Sequence, residues 1–95
     1  MATMAIILIN VERAKVDEVA QALIGLDGVT EAFSVAGQWD LVAIVRTQTN
    51  EQVADLITSR IRDIPNITRT ETLMAFKAYP KQDLGAMFSI GNENG

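Results

Sequence analysis

Phe33-Ser34-Val35-Ala36-Gly37-Gln38-Trp39-Asp40-Leu41-Val42 joins two apolar, strand-like runs through a tight turn. Asp and Gly are ordinary turn residues and need no special reason there. The only tryptophan of the chain, set at the tip of that turn, does. Its ring is exposed to water unless a partner subunit or a ligand covers it, and a lone aromatic in such a place marks a contact site. The stretch therefore reads as a β-hairpin with a recognition role. It is also the joint between two halves of the chain.

The halves resemble each other. Met4-Ala5-Ile6-Ile7 aligns with Val42-Ala43-Ile44-Val45, 38 positions on, and Leu26-Asp27-Gly28-Val29-Thr30 aligns at the same offset with Ile64-Pro65-Asn66-Ile67-Thr68. Between them Val19 matches Ile57 and Leu23 matches Ile61. An apolar run, an amphipathic stretch, a turn and an alternating run, repeated once, reads as two β-α-β units. In the first unit Val16, Val19, Ala20, Leu23 and Ile24 share one helical face, and Asp17 and Glu18 suit the positive end of the helix dipole. In the second, Val53, Leu56, Ile57 and Ile61 do the same, and Thr49 with Gln52 forms a capping box. Turn chemistry at Gly25–Gly28 and at Pro65-Asn66 stops the two helices.

Residues 4–10, 29–36, 40–47 and 67–78 are rich in Val, Ile, Thr and aromatics and read as strands. The order β-α-β-β-α-β is the split, ferredoxin-like α+β arrangement: a four-stranded antiparallel sheet with both helices on one face. The first strand is apolar on both faces, so the open side of the sheet needs a cover. A second copy packed sheet against sheet, as in dimeric α/β-barrels, is the simplest one. On the last strand Thr68, Thr70, Thr72, Met74 and Phe76 share one face and Arg69, Glu71, Leu73, Ala75 and Lys77 the other; both sets are mixed, and periodicity does not decide which meets the helices. Residues 1–80 form one domain and 81–95 a C-terminal arm. In the arm Leu84, Met87, Phe88 and Ile90 suit docking on the body or a neighbour, and the last five residues suit disorder.

Composition narrows the function classes. Ninety-five residues, 48% apolar and 21% charged, make one small domain with a thin core. The net charge is −4 and the eight Lys and Arg are scattered, so the basic footprint of a nucleic-acid binder is missing. The apolar run from Met4 to Ile9 is far too short to span a membrane, and no signal peptide precedes it. With no cysteine there are no disulfides or thiolate metal sites, which fits a cytoplasmic setting. With no histidine the commonest general base and metal ligand is absent. Ser34, Ser59 and Ser89 have no base, Asp17 and Glu18 lie on a solvent face, and Arg69 with Glu71 reads as a surface pair. No catalytic residue, metal site or cofactor is expected, and the chain does not read as an enzyme.

The hairpin turn is the better candidate. Backbone N–H groups around Gly37 suit a carboxylate that approaches closely, and Asp40 suits an ammonium group. The pair fits a zwitterion, though the same two residues also serve simply to shape a hairpin. Thr70 and Thr72 alternate on one strand face, so both hydroxyls point the same way; threonine there also serves strand propensity alone.

Asp27-Gly28-Val29, then Val35-Ala36-Gly37-Gln38-Trp39-Asp40-Leu41, then Ile64-Pro65-Asn66-Ile67-Thr68-Arg69-Thr70-Glu71-Thr72 resembles, in order and spacing, the effector-binding (RAM) domain of the Lrp/AsnC transcription regulators. Trp39 fills the aromatic slot of the family's hairpin motif, and Asn66-Ile67 stands where Gly-Val is usual. The resemblance implies the same fold, a sheet-on-sheet homodimer, higher oligomers such as an octameric ring, and a small effector, typically an amino acid, held between dimers. It implies that Ala36, Gly37, Gln38, Trp39 and Asp40 form one wall of that site and that Thr70 and Thr72 add contacts. Full-length members carry an N-terminal helix-turn-helix; here the first strand begins within a few residues of Met1, as in stand-alone members. Direct nucleic-acid binding is therefore not expected, and the partners implied are an effector and full-length Lrp/AsnC regulators. Assembly with such regulators without a ligand is one alternative, and a small dimeric α/β-barrel enzyme another. An ACT-like regulatory domain is disfavoured because its contacts cluster at the first strand–helix turn, here the glycine-free Asn10-Val11-Glu12-Arg13.

Overall fold

A computed structural model of the chain describes residues 2–81. Its elements run β1 (Thr3–Val11), α1 (Val16–Ile24), β2 (Val29–Ser34), β3 (Leu41–Thr47), α2 (Asn50–Asp55) continued by a π-helical segment (Leu56–Ile61), and β4 (Ile67–Met74). The four strands form one antiparallel sheet in the order β2-β3-β1-β4. This is the expected ferredoxin-like β-α-β-β-α-β fold. Each unit's two strands are parallel to one another and separated by a strand of the other unit, so the halves interlock rather than sit side by side.

Alternation divides the sheet into two faces. Ala5, Ile7 and Ile9 of β1 and Leu41, Ala43 and Val45 of β3 are fully buried under the helices, where they meet Val19, Leu23, Val53, Leu56 and Ile61. The opposite face carries Ile6 and Leu8 of β1 with Val42 and Ile44 of β3, only partly buried. Phe33 and Leu73, on the flanking strands, stay 49% and 43% exposed there. Register settles the open question on β4. Thr70, Thr72 and Met74 pair with Ile9, Ile7 and Ala5 on the helix side, and Leu73 and Glu71 pair with Ile6 and Leu8 on the open side.

Internal symmetry extends to backbone irregularities. Gly28 and Asn66, equivalent in the repeat, both adopt positive φ, 98° and 76°. In each unit that residue's carbonyl accepts a 2.8 Å bond from an amide beyond the other unit's first strand or at its end, Arg46 N–H to Gly28 and Glu12 N–H to Asn66. A β-bulge follows in both edge strands. Thr30 falls between the pairs Val29–Val45 and Glu31–Ile44, and its equivalent Thr68 falls between Ile67–Val11 and Arg69–Asn10. Bulges sharpen twist and tend to sit at sheet edges.

Several boundaries differ from the sequence reading. β2 stops at Ser34 rather than at 36, because Val35 N–H turns to the Asp40 carbonyl and closes the hairpin loop. β4 stops at Met74 rather than at 78, since its partner β1 runs out: Met74 pairs with Ala5 and Ala75 N–H reaches Met4. Phe76 is consequently fully exposed instead of lying on a strand face. Ile24, the last residue of α1, is half exposed, so the apolar stripe ends one residue earlier than its spacing suggests. The second helix widens at Leu56. Arg62 N–H donates to the Ile57 carbonyl five residues back, and the Thr58 hydroxyl takes the Ala54 carbonyl that a regular turn uses for its own amide. The apolar arm residues of 81–95 lie outside the described residues.

Candidate functional site

The hairpin loop is fixed to the rest of the sheet by Asp40. Its N–H donates to the Ile9 carbonyl and to Asn10 Oδ1, both at 3.0 Å, and its Oδ2 accepts the Val11 N–H at 3.0 Å. Val11 lies at the β1–β4 register shift, so a side chain satisfies an amide there. This is the hairpin-shaping role weighed for Asp40 above. Gly37 sits at φ 120° with no atom near the place of a Cβ, so its backbone is open to approach. Ala36, Gly37 and Gln38 are exposed.

Trp39 is partly buried, and the Arg69 guanidinium lies 4.5 Å from its ring centroid. The chain itself thus covers part of the ring by a cation–π contact. Arg69 does not pair with Glu71; among the described residues the only ion pair is Lys15–Glu18, at 3.2 Å. Nothing in the sequence singled out Asn10 or the Arg69–Trp39 contact, since both join residues that only strand register makes neighbours.

The structure brings the turn and Thr70 to opposite sides of one residue. Ile9 accepts from Asp40 towards β3 and pairs with Thr70 towards β4, so the two lie about two strand spacings, roughly 10 Å, apart. Thr72 is one pair further along β1, opposite Ile7. The turn and the threonines therefore share one end of the sheet without converging within a single subunit. A larger cavity of about 670 Å³ opens at the opposite end, around Gly28, Arg46, Glu51 and Asp55. It contains none of the turn or threonine residues and mixes both charge signs.

The order of elements, the paired turns and the hairpin match a known family. The Lrp/AsnC ligand binding domain model matches residues 4–84. The chain belongs to that family. An uncharacterised HTH-type transcriptional regulator of Pyrococcus horikoshii is 34% identical over 59 residues, 62% of this chain and 39% of that protein. The HTH-type transcriptional regulator FL11 of Pyrococcus abyssi is 30% identical over 76 residues, 80% of this chain and 50% of that one. The Lrp/AsnC chain thus spans half or less of these regulators. Among solved structures, TTHA0845 from Thermus thermophilus shares 40% identity at a TM-score of 0.78, covering 82% of this chain and 98% of that one. AsnC of E. coli shares 25% at 0.75, covering 80% and 52%. A feast or famine regulatory protein from M. tuberculosis, complexed with L-methionine, shares 25% at 0.70, covering 82% and 52%. The Pyrococcus relatives are HTH-type transcriptional regulators, and this chain is an Lrp/AsnC ligand binding domain rather than an enzyme. No helix among the described residues is long and apolar enough to cross a membrane.

Proposed function

We propose that the chain is a cytoplasmic, amino-acid-sensing oligomerisation module of the Lrp/AsnC type. The observation that carries this reading is the exposed Gly37 turn held in place by Asp40 at the sheet end that also bears Thr70. A preformed loop costs little ordering on binding. The turn residues Ala36, Gly37, Gln38, Trp39 and Asp40 supply backbone donors for a carboxylate and one carboxylate for an ammonium. Thr70 and Thr72 of a neighbouring subunit complete the site, which explains why the two groups do not meet within one chain. The apolar open face, with Ile6, Leu8, Val42, Ile44 and Phe33, packs on a second copy, and the dimers associate further into a ring. The methionine complex of the M. tuberculosis relative supports an amino acid as the effector class.

Thermal unfolding against each proteinogenic amino acid at millimolar concentration tests this. A ligand at about a hundred times its Kd adds about 2.7 kcal/mol per site, a rise of several degrees for a domain of this size. Asp40→Asn keeps an acceptor for the Val11 amide while removing the charge, so it should abolish that rise and leave the oligomer intact. A flat panel would instead favour assembly with full-length regulators through the same open face, which co-purification would reveal.

A further inference from the structure

Arg69 reaches the hairpin turn from β4 within a single subunit, which Thr70 and Thr72 do not. It lies on the open side of the sheet, paired with Asn10 of β1, and Asn10 Oδ1 in turn accepts the Asp40 N–H. From there its guanidinium extends to Trp39, the residue before Asp40, and stands 4.5 Å from the ring centroid. The indole holds the cation in place but offers its N–H donors no oxygen acceptor. Arg69 has no acidic partner among the described residues, although Glu71 follows it on the same strand face. It is exposed, and Asp40 is only partly buried. A guanidinium already ordered on a ring loses little side-chain freedom when it takes an anion, and its planar fork matches a carboxylate bidentately.

Charge matching at this end of the sheet narrows the effector. In the amino-acid reading, on which this inference rests, amides around Gly37 take the α-carboxylate and Asp40 takes the ammonium group. Those assignments leave Arg69 over, a positive charge that neither an aliphatic nor an amide side chain neutralises. Arg69 also covers part of the Trp39 ring, the apolar surface that an aliphatic side chain of the ligand would contact. A ligand with two carboxylates and one ammonium group matches the Gly37 amides, Asp40 and Arg69 together.

We propose that the effector is an amino acid with a side-chain carboxylate and that Arg69 is the residue that selects it. Trp39 is the only tryptophan of the chain, so its fluorescence reports binding at this place. The 95-residue chain is titrated with L-glutamate, L-aspartate, their amides L-glutamine and L-asparagine, and L-leucine. At least one acid should bind roughly ten-fold or more tightly than its own amide, the gain expected of a charge-assisted pair. Arg69→Gln should erase that preference and leave the affinity for the amide unchanged, whereas Arg69→Lys, a cation without the fork, should keep part of it. A purely structural role for Arg69 would weaken acid and amide alike, and that result would overturn the proposal. So would amides or leucine binding the unaltered chain as tightly as the acids, or a preference that survives Arg69→Gln. In those cases binding at Trp39 still upholds the amino-acid reading. Unchanged Trp39 emission with every amino acid would overturn both.

Discussion

In the first β-α-β unit the chain enters its helix through Ala14 at φ 65° and through Lys15, whose side chain makes no cap bond. In the second it enters through a complete capping box. Gln52 N–H donates to Thr49 Oγ1 at 3.1 Å, and Thr49 N–H donates to Gln52 Oε1 at 3.2 Å. The order of regularity then reverses. α1 stays α-helical and packs on β2 and β3, whereas the second helix widens at Leu56 and leaves the helix side of β4 partly uncovered. Both units leave their helix through a positive-φ residue followed by a bulge. One plan, used twice, thus keeps its turns and its buried face while the geometry of the helix between them differs.

Equivalent substitutions in the two units test that contrast. Leu23→Ala and Ile61→Ala, matched in the repeat and both buried, should each cost about 2–5 kcal/mol in denaturant unfolding. Their near-equality would show that widening of the second helix spares the core; a much smaller loss at Ile61 would place the π segment outside it. Gly28→Ala should cost about 1–2 kcal/mol, because an L side chain resists φ 98° and its Cβ would meet Leu56 and Thr47 at 3.4 Å. Asn66→Gly at the matched turn should be neutral or slightly stabilising, which would confirm that the turn geometry, not the residue, is the shared element. Thr49→Ala should cost about 1 kcal/mol through loss of the cap. Ala14→Gly should gain roughly 0.5 kcal/mol, the relief of left-handed strain less the added freedom of the unfolded chain. A loss on Ala14→Gly would mean that the first helix start is not strained at all.

Much of this was legible in the residues. The repeat carried the element order, the helical faces and even the Gly28–Asn66 equivalence, because both rest on local spacing and turn chemistry. The Thr49–Gln52 box was readable for the same reason. What stayed hidden depends on register. Which face of β4 meets the helices, the stack of Arg69 on Trp39, and the bond from Val11 to Asp40 all join residues far apart in sequence, and no local pattern encodes them. The π segment is accompanied by the bond from the Thr58 hydroxyl to the Ala54 carbonyl, but an exposed helical threonine ordinarily signals nothing. For the candidate site, the turn was found from its composition, whereas its anchoring to Asn10 and Val11 through Asp40 needed strand register.

The Asp40–Val11 bond links the hairpin loop to the far end of β1 through one side chain. An amide proton held by a carboxylate, and not by the regular ladder, exchanges with solvent whenever that carboxylate swings away. Val11 therefore serves as a built-in clock for the loop. An ammonium group that draws Asp40 towards itself would quicken exchange at Val11, a residue outside the loop, before any change in subunit number is seen.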